Sequence, residues 1–271
     1  AVAADEGDLV RHRGALLFPG ASPRRSDPRR ANSRGVCRPA ATKIPFAITR
    51  GSTLRLDGRE YRVEAVLKED RYARSTLLRN ARGRRFVLKE SVMRLPPGVR
   101  VPPLAALLAR HEGNLYERLA GVRGIPRLVS RPAPDSFLRE YVEGDTVRNT
   151  KPLPPGFFAS LEEVLRAVHA KGVAYVDLAK EENVLVGSDG RAWLVDFQIS
   201  LCREGPLRAL VGRFQREDLY HLSKMRLRRA PGEATEEDRK RVASRGRLGR
   251  LHRATVKKGY NLLTRYLVTR W

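Results

Sequence analysis

Residues 173–200, VAYVDLAKEENVLVGSDGRAWLVDFQIS, constrain the chain more tightly than any other stretch. Val184-Leu185-Val186 is a short apolar run of the kind a buried strand shows. Ser188-Asp189-Gly190 signals a tight turn, and residues 192–195 read as the return strand. A hairpin folded this way brings Asn183 at its entrance close to Asp196 at its exit. An amide oxygen beside a carboxylate suits Mg²⁺, which prefers oxygen ligands and leaves coordination positions open for phosphate. Asp177 lies six residues before Asn183, in reach of whatever attacks a metal-bound phosphate.

That arrangement resembles the catalytic loop and metal-binding hairpin of the protein-kinase-like superfamily. Tyr175-Val176-Asp177 stands where the family has His-Arg-Asp, and Asp196-Phe197-Gln198 where it has Asp-Phe-Gly. The interval of 13 residues from Asn183 to Asp196 matches the family spacing. Two features depart from it: the interval from Asp177 to Asn183 is one residue longer than usual, and Gln198 replaces the glycine. Both resemble an atypical bacterial branch, similar to lipopolysaccharide kinases and RIO-type serine/threonine kinases. The resemblance covers roughly residues 60–225. It implies an α+β, bilobal fold with a small β-rich N-lobe and a short helical C-lobe. It also implies ATP and Mg²⁺ as cofactors, with Asn183 and Asp196 on the metal, Asp177 as catalytic base and Lys180 placed to touch the γ-phosphate.

Upstream segments supply the partners this resemblance requires. Residues 84–90, RRFVLKE, read as a strand with Val87 and Lys89 on one face and Phe86 and Leu88 on the other. Lys89 resembles the kinase lysine that holds the α- and β-phosphates of ATP. A helix is expected over about 103–120, where Leu104, Leu107, Leu108, Leu115 and Leu119 recur at helical spacing. Gly113 inside that pattern weakens the expectation of one unbroken helix. Glu112 resembles the glutamate that pairs with the lysine. Glu117 competes with it, five residues on and about 140° round the helix. Glu140-Tyr141-Val142-Glu143-Gly144 resembles the kinase hinge, with Glu140 and Val142 presenting backbone groups to adenine.

The glycine-rich loop is missing. Between expected strands at 61–67 and 75–78 the chain reads KEDRYAR, with no glycine to let backbone N–H groups approach phosphate. Either side chains, Arg71 and Arg74 among them, cover the nucleotide, or ATP binds weakly.

Composition bounds the remaining possibilities. At 271 residues and 41% apolar content the chain buries one or two cores. Its longest apolar near-run, residues 101–109, is interrupted by two prolines, so a membrane-spanning helix is not expected. Cys37 and Cys202 form no disulfide framework or metal cluster, which fits a reducing cytoplasm. The net charge of +24 is carried mainly by arginine, a skew that a GC-rich genome also produces. Residues 221–271 hold 15 Lys or Arg against four acids. Such basic termini attract anionic partners non-specifically, nucleic acid or the inner membrane surface among them. No zinc-finger spacing, aromatic ribonucleoprotein motif or Gly-x-x-Gly clamp supports sequence-specific nucleic-acid recognition.

Residues 1–50 read as a disordered basic segment, 51–141 as an N-lobe and 142–271 as a C-lobe ending in basic helices, the last over 259–267. Strands are expected at 126–130 and 137–142, and a helix from Pro155 to Gly172 with Phe158, Leu161, Val164, Leu165 and Val168 on one face. His169 near its end reads as helix-terminal or core. Asp218 opens a further helix in this reading and resembles the buried aspartate that shapes the kinase catalytic loop. Only 21 residues separate Asp196 from Asp218, with no Ala-Pro-Glu. The segment that grips peptides in typical protein kinases is therefore absent, and Val176 removes the arginine that a phosphorylated activation loop would engage. The acceptor is left open between a protein Ser/Thr and a lipopolysaccharide or glycan sugar. A pseudokinase scaffold, binding an anionic partner through its basic tail, is the alternative.

Overall fold

Alternating apolar residues in the first half of the chain can be buried only if its strands share one sheet. In the computed structural model, which describes residues 48–70, 72–95, 99–204 and 208–244, they do. Strands β1 (Thr53–Leu56), β2 (Arg59–Glu69), β3 (Ala73–Asn80) and β4 (Arg85–Ser91) follow one another as antiparallel hairpins. A short hairpin of β5 (Arg94–Leu95) and β6 (Val99–Arg100) leads into helix α1 (Pro102–Arg118). Strands β7 (Leu128–Ala133) and β8 (Ser136–Glu140) complete a six-stranded sheet in the order β1-β2-β3-β4-β8-β7. Leu54, Leu56, Tyr61, Val63, Leu78, Phe86, Leu88 and Leu138 form its core. Phe86 and Leu88 lie in that core while Lys89 emerges on the other face, as the alternation of β4 requires.

Helix α1 departs from its sequence pattern. It is unbroken across Gly113, and its buried residues include Ala105, Ala109, Glu112 and Tyr116, whereas Leu107 is 61% exposed. The leucine stripe is thus turned partly outward, because the stripe holding Glu112 faces the sheet. Gly113 is there for space: a Cβ would stand 3.0 Å from the Arg131 guanidinium. Pro102 and Pro103 occupy the first turn, where a missing N–H costs nothing.

The chain crosses to the second lobe at Gly144, with φ 151°, where any Cβ would lie 2.0 Å from the Val186 carbonyl oxygen. Strand β9 (Gly144–Thr146) then pairs with β11 (Val184–Gly187), which pairs with β12 (Ala192–Leu194). Between them lie helix α2 (Phe157–Ala170) and β10 (Val173–Ala174). Phe158, Leu161, Val164, Leu165 and Val168 of α2 are all buried in the larger core, which also takes in Leu115 and Tyr116 of α1 and Leu119 just past its end. Strand β13 (Leu201–Cys202) pairs back onto β10. Helix α3 (Val211–Arg229) starts seven residues before Asp218, not at it, so Asp218 faces the interior from mid-helix. The expected helix at 259–267, Cys37, Arg71 and the segment before residue 48 lie outside the described residues.

Arg226 of α3 ties the lobe's far end together. Its guanidinium donates to Asp238 Oδ2 at 2.7 Å, to Glu162 Oε2 of α2 at 2.7 Å and to the Phe158 carbonyl at 3.2 Å. Asp238 also accepts from the Thr235 N–H and hydroxyl, while its own N–H donates to Thr235 Oγ1, a reciprocal cap for the helical residues 236–244. Burial works to raise the Asp238 carboxyl, but hydrogen bonds from Ser223, Thr235 and Arg226 outweigh it and hold it at about 2. Since this lies below the ordinary aspartate value of about 3.9, the carboxylate's stabilisation is complete above that pH and lost as pH falls through about 2. Asp238→Asn is expected to lower stability by about 1–3 kcal/mol at neutral pH. Denaturant midpoints should show that difference shrinking between about pH 4 and 2; a difference independent of pH would rule out the charge as its source.

Candidate active site

Strand β4, helix α1 and the turn after β12 each deliver one charged side chain to a single point. Lys89 Nζ lies 2.8 Å from Glu112 Oε1, 2.7 Å from Glu112 Oε2 and 2.8 Å from Asp196 Oδ1. Lys89 and Glu112 are buried, Glu112 at 1% exposure. Burial alone would depress the Lys89 ammonium, but the Glu112 and Asp196 carboxylates outweigh it and hold it above its usual range. Asp196, resisted by burial, is drawn below its ordinary value by Lys89. Glu112 Oε1 also accepts the N–H of Phe197 at 3.1 Å, so α1 is pinned to the Asp196 turn as well as to β4. Glu117 is exposed and pairs with Arg131 instead.

Asp177, Lys180 and Asn183 form a second cluster on the loop between β10 and β11. Asp177 Oδ2 accepts from Lys180 Nζ at 2.7 Å and from Asn183 Nδ2 at 2.9 Å. The added residue in this interval is taken up by a 3₁₀ turn over Glu181–Asn183. Burial pushes the Asp177 carboxyl up, against the opposing pull of Lys180, and the charge of Asp196 raises it further. The two clusters therefore share one electrostatic field. With Asn183 Nδ2 given to Asp177, its amide oxygen is available; Asp196 Oδ2 accepts no hydrogen bond among the described residues. These two hard oxygens fit a Mg²⁺ ion completed by phosphate and water.

Backbone conformation sharpens the loop. Val176 has φ 71° and Asp196 φ 65°, a left-handed region that is costly for a β-branched residue. Asp218, fully buried, holds Val176 there: its Oδ1 accepts the Val176 N–H at 2.8 Å and its Oδ2 the Tyr175 N–H at 2.8 Å. His169 Nε2 lies 3.0 Å from the same Oδ2, so this histidine braces the loop. Phe197 packs edge-on between Tyr116, at 5.2 Å, and Tyr175, at 5.1 Å. The Tyr116 hydroxyl accepts the Asp196 N–H at 3.3 Å. Tyr116 carried no sequence signal beyond its place one turn after Glu112.

The segment after Asp196 is closed onto the loop. Ser200 N–H donates to the Phe197 carbonyl at 3.0 Å, and Gln198 within that turn has no left-handed φ, so a glycine is not required there. Ser200 Oγ donates to the Tyr175 carbonyl at 2.8 Å, and His111 of α1 reaches the Ser200 carbonyl at 2.9 Å.

The hinge and the β2–β3 turn complete the surroundings. The Glu140 carboxylate is committed to Arg84 and Arg127, at 2.8 and 2.9 Å, its N–H donates to the Arg127 carbonyl at 2.9 Å, and its carbonyl accepts from Arg139 at 3.0 Å, with one lone pair left for a ligand. Val142 is 6% exposed, and neither of its backbone polar groups hydrogen-bonds to a described residue. Arg74 is not available to a nucleotide. It is buried in a bidentate pair with Glu90, both contacts 2.8 Å. At the tip of the turn, Asp70 Oδ1 accepts the N–H groups of Tyr72 and Ala73 at 2.8 and 2.9 Å. The turn satisfies its own donors with a carboxylate where a glycine-rich loop would offer them to phosphate.

No family model matches the chain, and no curated protein matches it. Solved structures do. The complex of Rio2 kinase from Chaetomium thermophilum with ADP/Mg²⁺ and phosphoaspartate superposes with a TM-score of 0.50 at 14% identity. The match covers 64% of this chain and 57% of that one. The chain has a protein-kinase-like fold. A second structure of Rio2 kinase from the same organism matches at 16% identity and a TM-score of 0.49, over 66% of this chain and 62% of that one. The chain thus spans about three fifths of the length of these structures. Among the described residues no helix is long and apolar enough to cross a membrane.

The strain at Val176 is testable. Asparagine tolerates a left-handed φ far better than valine, so Val176→Asn is expected to raise stability by about 1 kcal/mol. Calorimetry should register this as a rise of about 2–4 °C in melting temperature. A lower melting temperature would show that the valine side chain contributes more by packing than its backbone costs.

Proposed function

We propose that this chain is an ATP-dependent phosphotransferase of the atypical kinase branch similar to RIO-type and lipopolysaccharide kinases. It moves the γ-phosphoryl group of ATP to a hydroxyl of a protein Ser/Thr or of a lipopolysaccharide or glycan sugar. The observation that carries this reading is the buried Lys89 ammonium shared between Glu112 and Asp196, next to the Asp177–Asn183 loop.

In this mechanism the hinge backbone at Glu140 and Val142 receives the adenine edge, for which the Val142 N–H and carbonyl, without a hydrogen bond among the described residues, are suited. Lys89, fixed by Glu112, grips the α- and β-phosphates. Asn183 and Asp196 would hold Mg²⁺, which when bound neutralises phosphate charge as it shifts toward the leaving group. Asp177 orients the acceptor hydroxyl and takes its proton as the new O–P bond forms and the bond to the β-phosphate oxygen breaks, releasing ADP. Lys180, 2.7 Å from Asp177, touches the γ-phosphate in this reading. Since the β2–β3 turn keeps its N–H groups, nucleotide affinity falls to Lys89, the metal and the hinge. The same turn is the observation that favours a pseudokinase scaffold binding an anionic partner.

Two substitutions separate the readings. Asp196→Ala is expected to remove the Mg²⁺-dependent thermal shift given by ATP, a shift worth about 2.7 kcal/mol at a hundredfold excess over Kd in the wild type. Asp177→Asn should keep that shift and lower turnover by about 10²- to 10⁴-fold. An ATP shift unchanged by Asp196→Ala excludes Asp196 from the site. Turnover unchanged by Asp177→Asn excludes the base, and no ATP consumption by the wild type with protein, lipid or glycan fractions leaves the scaffold.

The pH profile tests Asp177 further. Burial raises its carboxyl and Lys180 opposes the rise, so the acidic limb of kcat should lie above the ordinary aspartate range. Lys180→Met removes the opposing charge and should move that limb to still higher pH. A limb that stays in place would separate Asp177 from the titration.

A further inference from the structure

A cavity of about 470 Å³ opens beside the Asp177 loop, lined by neither Lys89 nor the residues 140–144. Arg148, Lys180, Glu181, Glu182, Arg228 and Arg229 line it. They come from three separate parts of the second lobe: the turn after β9, the loop before β11, and two neighbouring positions at the end of α3. Four cations thus face two carboxylates. Arg148 is paired with Glu182 and Arg228 with Glu181. Arg229 stands 4.0 Å from Glu181 and donates to the carbonyls of Val147 and Thr150. Arg148 and Arg228 keep their side chains 66% and 57% exposed, so their donors are open to a ligand. Lys180 belongs to this wall and also bonds Asp177 at 2.7 Å, which sets the cavity one side chain away from the proposed base.

We infer that this cavity is an acceptor subsite for a phosphorylated sugar or polyol, in which the arginines hold a phosphate already present while a free hydroxyl faces Asp177. The inference rests on the phosphotransferase reading and deepens it. Arginine forks match phosphate oxygens bidentately, and the two glutamates offer acceptors for neighbouring hydroxyls. A volume of this size holds a small ligand. A peptide is disfavoured because, among the described residues, the segment after Asp196 is closed onto β10 through β13 and Ser200. The step itself adds a second phosphoryl group: the sugar oxygen bonds the γ-phosphorus, ADP departs, and the hydroxyl proton goes to Asp177. An earlier phosphoryl transfer must supply the acceptor.

The test uses the full chain saturated with Mg²⁺ and a non-hydrolysable ATP analogue, so that the Lys89 site is filled. Probes are a hexose 6-phosphate, the matching neutral hexose, phosphatidylcholine vesicles with or without a phosphoinositide, and an acidic peptide. Binding of the hexose phosphate or of the phosphoinositide vesicles is expected, and shows whether the phosphate is free or lipid-borne. Arg148→Ala/Arg228→Ala, both at exposed side chains, should weaken that binding by about tenfold or more while leaving analogue affinity within about twofold. Arg228→Lys should restore part of it, as a charge without the fork. Equal binding by the double variant, equal binding of the neutral hexose, or preference for the acidic peptide overturns the inference. ATP turnover by a wild type that ignores both phosphate probes overturns it too and leaves the kinase reading standing. Arginine-dependent hexose phosphate binding by a protein that binds no nucleotide supports the anion site and removes the kinase reading.

Discussion

The structure turns on one buried ammonium. A lysine withdrawn from water is tolerable only when carboxylates replace its hydration, and Lys89 has two, contributed by residues 23 and 107 positions away. Satisfying it forces β4, α1 and the Asp196 turn to meet. That demand overrides the hydrophobic pattern of α1: the helix turns Glu112, with Ala105, Ala109 and Tyr116, toward the sheet and leaves Leu107 in solvent. Glu112 then spends the same oxygen on the Phe197 N–H. The pair that fixes the lysine also fixes the Asp196 turn, so geometry at either end depends on the other.

A second constraint acts from below. The loop carrying Asp177 contains a valine in a left-handed conformation that isolated chains avoid. It persists because Asp218 accepts two successive N–H groups, because Gln215 donates to the His169 and Val173 carbonyls, and because Phe197 is clasped between Tyr116 and Tyr175. Strain held by such over-determined surroundings concentrates where side chains must project at a fixed angle. Here the projected groups are Asp177, next to Val176, and Asp196, which itself has φ 65°.

Legibility in the sequence followed locality. The hairpin joining Asn183 to Asp196 was readable because its two strands and turn are contiguous, and so was the apolar face of α2. Glu112 was favoured over Glu117 by resemblance, and the geometry of α1 places it against Lys89; periodicity alone pointed to the leucines. Gly113 read as a helix breaker because a sequence does not show that the Arg131 guanidinium packs on it. The start of α3 was placed late because its first turns, at residues 211–217, carry little apolar patterning. Arg74 stood among the side chains that could cover a nucleotide because its partner Glu90 sits on the next strand, at a spacing with no motif. The arginine-lined cavity was invisible for a compositional reason: in a chain this rich in arginine, three more in the right place do not stand out.

The short connection between the two aspartates links these points. In 21 residues the chain must leave Asp196, return to β10 and enter α3 early enough to place Asp218 under the loop. It does so by pairing β13 with β10 and by burying Ser200 against the Tyr175 carbonyl. A segment used in this way braces the loop. The approach to Asp177 is then bounded by Lys180, Glu181 and Glu182 of the loop itself and by the arginines at the end of α3. The economy that shapes the Asp177 loop therefore also sets its surroundings: the wall beside Asp177 is built of charged side chains from the loop and from the end of α3, and the charge and size of that wall match the small, charged acceptor proposed above.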